Sequence, residues 1–163
     1  MIKDEIIQES IKSLQSEGLK FSVDTLAEKL KISKKTIYKY FPNKEALALE
    51  LYKQYYQTAN EAAKQLLAQK EPDAILDLLL LYYESKKMIR NEIFNKYNLN
   101  EVIRSYAEKQ NDIIWSAVTT ALKDTMSTGE MEIIRVIVDG TFEKLCISGI
   151  SPKSVIERLV RLI

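Results

Sequence analysis

The chain has 163 residues, of which 46% are hydrophobic and 29% are charged, and its 24 basic and 23 acidic side chains nearly balance. This composition predicts a packed core and excludes a disordered chain. The single cysteine excludes an intrachain disulfide, and one cysteine without histidine excludes a Cys/His zinc site. Without histidine, the chain also lacks the residue that most often serves as general base in enzymes.

The scarcity of turn residues, four glycines and three prolines, favours long helices, because sheets need frequent turns. The first helix is predicted where apolar residues recur at helical spacing from Ile6 to Leu14. Ser22 can cap a short second helix with an apolar inner face from Val23 to Leu30. An all-α fold is therefore expected from the N-terminus onward.

A third short helix and a long fourth helix follow. Ser33 can cap a third helix over residues 34–40, and Pro42 ends it because the residue before proline avoids helical angles. Asn43 can cap a fourth helix, whose apolar stripe continues to about Gln69. This long helix is predicted to connect an N-terminal domain, residues 1–48, with a C-terminal domain, residues 49–163.

The C-terminal domain is predicted to be a helical bundle, giving about 8–9 helices in the whole chain. Turns are expected near residues 98–100 and at 127–130. The expected helices begin near residue 73 and then cover 101–126, 131–148 and 152–163. The last two are strongly apolar, and residues 131–148 are apolar on nearly all sides, so this helix must be buried on all sides.

No membrane span or secretory signal is predicted. The longest apolar run, residues 78–83, is too short to cross a bilayer, and no apolar segment follows a basic start at the N-terminus. A soluble, cytoplasmic protein without cofactor or metal is the expectation.

The distribution of charge is more informative than its sum. Residues 29–44 contain six lysines and no acid. They cover the end of the second predicted helix and all of the third, so the pair predicts a helix-turn-helix with a basic second helix. Such a helix can enter the major groove of DNA while flanking groups bind phosphate. The alternative is a lysine-rich face that is only solvated.

The stretch "FSVDTLAEKLKISKKTIYKYFPNKEAL" resembles the N-terminal DNA-binding domain of the TetR family of transcriptional repressors. The resemblance covers roughly residues 4–55, and its most specific part is "TIYKYFPNKEAL", which begins at Thr36. One position departs from the family pattern, because Lys31 stands where the family usually has glycine. A non-glycine residue there costs about 1–2 kcal/mol if its backbone is left-handed.

The resemblance implies roles for residues of the helix-turn-helix. The start of the third helix would read base edges, the tyrosine and lysine side chains around it would bind phosphate, and the serines would cap helices and touch phosphate. The candidate DNA-binding residues are Ser22, Ser33, Lys34, Lys35, Thr36, Tyr38, Lys39, Tyr40 and Lys44. Ile37 and Phe41 are expected in the core instead, and a packed ring with an exposed hydroxyl is the alternative for each tyrosine.

The resemblance also implies a homodimer that binds a double-stranded operator and senses a small molecule. The apolar helices 131–148 and 152–163 can form the dimer seam, with ordinary intrachain core as the alternative. Aromatic residues of the C-terminal domain can line an effector cavity, although such residues are more often simply part of the core. The candidates are Tyr82, Tyr83, Phe94, Tyr106, Trp115 and Phe142, with Asn111 and Asp112 as possible polar groups.

The predicted function is thus a TetR-like repressor that leaves a near-palindromic operator when an effector binds. One alternative keeps the fold but acts through protein contacts, as a co-regulator without a ligand. The other is a helical-bundle enzyme, which the sequence disfavours because it lacks a paired-carboxylate pattern with histidine.

Overall fold

The computed structural model describes residues 1–17, 20–89 and 100–163, apart from the side chains of residues 100, 142, 143, 146 and 147. In this part of the chain there are eight α-helices, a short 3₁₀ helix at Lys87–Ile89 and no strand. The α-helices are α1 Ile2–Glu17, α2 Val23–Leu30, α3 Lys34–Tyr40, α4 Lys44–Gln69, α5 Ala74–Lys86, α6 Asn100–Leu122, α7 Thr128–Ser148 and α8 Pro152–Leu162.

The predicted all-α class is confirmed, while α6 ends at Leu122 instead of residue 126 and α7 begins at Thr128 instead of residue 131. The expected turn 127–130 is instead the helix start, because Ser127 and Glu130 form a capping box. The Glu130 amide donates to Ser127 Oγ over 3.3 Å, and the Ser127 amide donates to Glu130 Oε2 over 2.8 Å. A serine followed by glutamate three residues later is the usual signature of this motif.

The chain divides into two compact units, which share α4 and α6 along the sequence. Unit 1 consists of Met1–Gln57 and Lys87–Glu108, and unit 2 consists of Thr58–Lys86 and Lys109–Ile163. This division reflects packing. The functional division expected from the sequence, at residues 48 and 49, stays a prediction.

Unit 1 is built around the helix-turn-helix. α1 packs against α2, and α2 packs against α3. The buried Tyr52 hydroxyl donates to the carbonyl of Met88 over 2.6 Å, whereas Gln54 Oε1 is buried without a partner among the described residues. The core side chains are apolar and come from all four N-terminal helices and the loops between them: Ile6, Leu14, Phe21, Leu26, Ile37, Phe41, Leu47 and Leu51.

Unit 2 is a helical bundle in which α5 packs against α7 and α8. The end of α4 is tied to α6 by a 2.7 Å hydrogen bond from Asn60 Nδ2 to Gln110 Oε1. Its core contains aliphatic and aromatic side chains of α5, α6, α7 and α8: Leu78, Leu79, Tyr82, Tyr83, Ile114, Val118, Ile134, Val138 and Ile156.

α7 is apolar on two faces, of which this single chain buries one. Ile134 and Val138 lie in the core of unit 2. On another face Ile133 is 62% exposed and Val136 is 69% exposed, and Ile137 is exposed beside them. The burial on all sides that the sequence demands is therefore not achieved within one chain.

Candidate functional site

A three-residue turn, residues 31–33, sets the angle between α2 and α3. Lys31 is left-handed, with φ 55° and ψ 38°. Its amide donates to the carbonyl of Glu28 over 3.1 Å, and the amide of Ile32 donates to the carbonyl of Ala27 over 3.0 Å. This pair of bonds is a Schellman motif, so the turn keeps a glycine-type geometry without glycine.

The start of α3 is fixed by its cap. Ser33 Oγ accepts a hydrogen bond from the amide of Thr36 over 3.0 Å, and it lies 2.8 Å from Thr36 Oγ1. The buried Ile37 and the nearly buried Phe41 anchor the inner face of the helix and the residue after it. The cap and the anchors together hold the outer face of α3 toward solvent.

The outer face of α3 presents cations and phenol rings. Lys34, Lys35 and Lys39 are exposed. Tyr38 is 38% exposed and Tyr40 is 42% exposed. Lysine ammonium groups and tyrosine hydroxyls are common donors to DNA phosphate, so this face has the chemistry of a nucleic-acid interface.

Two of the three residues expected to read bases already have partners within unit 1. Lys34 Nζ donates to Asp24 Oδ2 of α2 over 3.0 Å, and this hydrogen bond raises the pKa of the Lys34 ammonium. The hydroxyl of Thr36 is engaged with Ser33, as described above. Lys35 makes no ion pair among the residues described, which leaves its ammonium available.

The flanks of the interface come from the starts of α2 and α4. Ser22 is exposed and accepts a hydrogen bond from the amide of Thr25 over 3.4 Å, as an N-cap does. Lys44 is half-buried, and its ammonium lies 4.7 Å from the centre of the Phe21 ring. Asn43 caps α4, with Oδ1 accepting from the amide of Ala46 over 2.7 Å.

Unit 2 contains a buried polar cluster around two aromatic rings. The rings of Tyr82 and Trp115 lie 5.2 Å apart, and the Arg135 guanidinium lies 5.5 Å from the Trp115 ring. The Tyr82 hydroxyl donates to Asp139 Oδ1 over 2.7 Å. Burial and this hydrogen bond raise the pKa of the Tyr82 hydroxyl above its usual value. Arg135 is also paired with Asp112.

Two side chains of α6 have buried polar atoms without a partner in the described part of the chain. Asn111 is 2% exposed, and neither its Nδ2 nor its Oδ1 has a hydrogen bond there. Trp115 is 4% exposed, and its Nε1 also lacks an acceptor. Because residues four apart share a helix face, these groups lie together. Each unpaired buried group costs about 1–3 kcal/mol.

A separate apolar groove of about 230 Å³ lies among α5, α7 and α8. Its lining is almost wholly aliphatic, with Thr141 and Arg158 as its polar members apart from the hydroxyl of Tyr83. Ile137 and Leu162 line it and are exposed. The groove thus belongs to the same surface as the exposed face of α7.

Comparisons with known proteins agree with the geometry of unit 1. Residues 6–51 match the family model described as bacterial regulatory proteins, tetR family. The matched residues contain α1 from Ile6 onward, the complete helix-turn-helix and the first two turns of α4. The N-terminal part of this chain is therefore a TetR-type domain, and the family that the model describes is one of regulatory proteins.

The fold of the whole chain has a counterpart among solved structures. It is similar to the crystal structure of the transcriptional regulator FadR from Bacillus subtilis in complex with stearoyl-CoA. The likeness covers 98% of this chain and 96% of the other, with a TM-score of 0.68 and 15% sequence identity. At this identity it shows the fold alone. No curated protein matches the sequence.

The structure gathers the predicted DNA-binding residues in unit 1, while the predicted effector residues are divided between the two units. Tyr82, Tyr83 and Trp115 lie in the core of unit 2. Tyr106 belongs to unit 1, where its ring meets Tyr56 edge-on at 6.2 Å. Phe94 and the side chain of Phe142 lie outside the described residues. The roles of all these residues remain predictions.

Three charged residues of these sites were not predicted from the sequence. Asp24 was not expected to engage Lys34, because the two are ten positions apart and on different helices. Arg135 and Asp139 could have been found, since they are the only charges of residues 133–142 and have i,i+4 spacing. They are joined over 3.8 Å.

Two further observations concern metals and membranes. Across residues 1–17, 20–89 and 100–163, no three His, Cys, Asp or Glu side chains come together in a way that would hold a metal ion. None of the helices described there is long and apolar enough to cross a bilayer.

Proposed function

We propose that this TetR-family regulator is a dimeric repressor without catalytic activity, which binds a near-palindromic operator through α3 and is released by a small-molecule effector. The observation that carries the proposal is the outer face of α3, where exposed lysines and tyrosines stand on a helix held by a Schellman turn and a serine cap. This arrangement suits insertion into the major groove.

We assign the base-reading role primarily to Lys35, whose ammonium has no ion-pair partner among the described residues. Lysine binds O6 and N7 of guanine. Tyr38, Lys39 and Tyr40 lie on the same exposed helix and are proposed phosphate contacts. Lys44 stands at the N-terminus of α4, where the helix dipole also favours a phosphate. Ser22 and Ser33 cap helices and can add contacts at the edges.

The dimer proposal rests on the exposed apolar face of α7. Ile133, Val136, Ile137 and Gly140 follow the i, i+3, i+4, i+7 pattern of one helix face. A methyl group added to Gly140 would meet no atom of this chain within 4 Å, so packing within the described chain does not require glycine there. A partner helix that approaches closely would. The apolar groove beside α8 extends the same surface.

Across a two-fold axis, α7 and α8 of two chains would form the four-helix seam expected from the sequence. Two recognition helices must lie about 34–36 Å apart, or a multiple of that, to enter successive major grooves on one face of DNA. The seam therefore sets the half-site spacing of the operator.

We place the effector site at the buried cluster of unit 2. Asn111 and Trp115 offer two donor groups and one acceptor without partners, and a ligand with a carbonyl and an adjacent N–H or O–H would satisfy them. The FadR crystal structure shows that a protein of this fold can hold an organic ligand. The ionic groups nearby are already paired, so the recognised part of the ligand is neutral.

An effector releases DNA only if it binds one conformation of the dimer better than another. α4 and α6 contribute residues to both units, so they are the covalent links through which such a change can pass. We propose that the effector favours a spacing of the two recognition helices that does not fit the operator.

Selection of bound fragments from the protein's own genome tests the proposed function. Fragments recovered by the purified chain should share a sequence with two-fold symmetry. Recovery in proportion to genomic abundance, without any common sequence, would reject an operator-binding regulator. The genes adjoining the selected sites would then indicate what is controlled.

A further inference from the structure

Asp24 is an acidic neighbour of α3, the proposed recognition helix. Its carboxylate lies on α2 and accepts a hydrogen bond from Lys34 Nζ over 3.0 Å. Both side chains are about half exposed or more, so the pair lies at the surface that would face DNA. The only other acid of α2, Glu28, is exposed and forms no ion pair in the described residues.

We propose that Asp24 is a specificity-determining residue, which acts through Lys34. This inference rests on the proposed function. On DNA of arbitrary sequence, Lys34 stays paired with Asp24 and adds little to phosphate binding. On the operator, a base edge in register with Lys34 replaces the carboxylate as its partner. The lysine charge therefore contributes fully to binding of the operator and not to binding of other DNA.

The physical basis is that non-specific affinity comes from phosphate neutralisation, whereas specific affinity adds contacts to bases. An exposed ion pair is weak and typically changes an equilibrium constant by no more than about fivefold. A weak pair can suppress random contacts by a few-fold and still yield to a well-placed base contact, which discriminates by about 5- to 150-fold. A strong buried pair could not be exchanged in this way.

The test compares the Asp24→Asn variant with the wild type on two duplexes, one of random sequence and one selected from the genome by the protein itself. Asp24→Asn should raise affinity for the random duplex about two- to fivefold, as expected from the weakness of an exposed pair. Its plot of log affinity against log salt should steepen by about 0.9 units, the slope of one added phosphate contact. Affinity for the selected duplex should change less, so the specificity ratio should fall.

The control is Glu28→Gln, which removes the same charge from the same helix without touching Lys34. It should leave both affinities unchanged. Equal effects of Asp24→Asn and Glu28→Gln would show general repulsion of DNA by acids and would overturn the inference. A random-duplex affinity unchanged in Asp24→Asn would overturn it as well.

A double-mutant cycle with Lys34→Gln isolates the pair. In the Lys34→Gln background, Asp24→Asn should have no further effect on either duplex. A persistent effect would show that Asp24 does not act through Lys34. Failure of the wild type to bind either duplex would instead reject the proposed function and this inference with it, so the two failures are distinguishable. Thermal melting checks that each variant is folded.

Discussion

The two units differ in how far one chain completes them. In unit 1, the polar side chains that are at least nine-tenths buried have partners: the Ser10 hydroxyl donates to the carbonyl of Ile6, and Tyr52 donates to that of Met88. In unit 2, Asn111 and Trp115 retain unpaired buried atoms. Unit 2 also exposes an apolar helix face, whereas α3 of unit 1 exposes lysines and tyrosines.

This difference indicates where each unit finds its partner. Unit 1 has one unpaired buried side-chain atom in its described residues, Gln54 Oε1, and its distinctive chemistry lies in what its surface presents. A cationic surface suits a polyanion. Unit 2 is incomplete in two respects. Its apolar face requires another protein surface, and its buried polar groups require a ligand or water. The proposed dimer and effector supply these missing parts.

The largest effect is expected when a lysine, the residue type that α3 exposes, is placed on the exposed apolar face of α7. Ile133→Lys places a charge in the proposed seam, and we expect it to weaken dimerisation by about 30-fold or more, as for a hot-spot residue worth at least about 2 kcal/mol. Sedimentation velocity over a concentration series measures this. Operator affinity should fall in parallel, since each half-site is bound more weakly alone than in tandem.

Ile113→Lys is the matched control for this experiment. Ile113 is also an exposed isoleucine of unit 2, 51% exposed, but it lies on α6, outside the proposed seam. It should leave the dimer intact. Loss of the dimer in both variants, or in neither, would contradict the proposal that the α7 face forms the dimer interface.

A smaller effect is expected at the buried amide of unit 2. Asn111→Leu removes two unpaired polar atoms while keeping a similar volume, so we expect the free energy of unfolding to rise by about 1 kcal/mol. Denaturant unfolding of the ligand-free protein measures this change. The same variant should lose the effector response, which the fluorescence of Trp115, the only tryptophan in the chain, can follow.

Asn60→Leu provides the contrast for that measurement. It also removes an unpaired buried oxygen, Oδ1, but it breaks the hydrogen bond from Nδ2 to Gln110, so it should be less stable than Asn111→Leu. If Asn111→Leu were as destabilising as Asn60→Leu, the Asn111 amide would have partners within the protein. The effector site proposed there would then lose its main support.

The smallest effect is expected in unit 1, which has one strained position in its functional turn. Lys31→Gly should stabilise the protein by about 1 kcal/mol, because glycine adopts the left-handed conformation without steric cost. In a protein of this size the melting temperature should rise by about 2–4 °C. Lys31→Ala, which removes the charge but keeps the strain, should not produce this gain.

The helix-turn-helix and the start of α4 were predicted well from the sequence, because local signals determine them. The serine caps, Pro42 and the spacing of Ile37 and Phe41 each specify the chain within a few residues, and the structure bears them out. The family pattern singled out Lys31 as a position that is strained if its backbone is left-handed, and the structure shows that it is. Local chemistry was therefore sufficient for α2, α3 and the start of α4.

The rest of the candidate sites depends on contacts between residues that are distant in sequence. The spacing of residue types along the chain does not reveal such contacts. Asp24 and Lys34 meet because α2 packs on α3, and Tyr82 meets Asp139 across 57 positions. The aromatic residues proposed for one effector cavity were chosen by residue type alone. The structure separates Tyr106 from Tyr82 and Trp115 into different units, a distinction that residue type cannot make.

The salt dependence of duplex binding tests the central claim, that the cationic face of unit 1 binds DNA. The wild type should show a linear fall of log affinity with log salt, and Lys44→Ala should flatten this slope by about 0.9 units, the value for one phosphate contact. Lys123→Ala, an exposed lysine just beyond α6, should leave the slope unchanged. A wild-type affinity independent of salt, or equal slopes in all three proteins, would contradict the account.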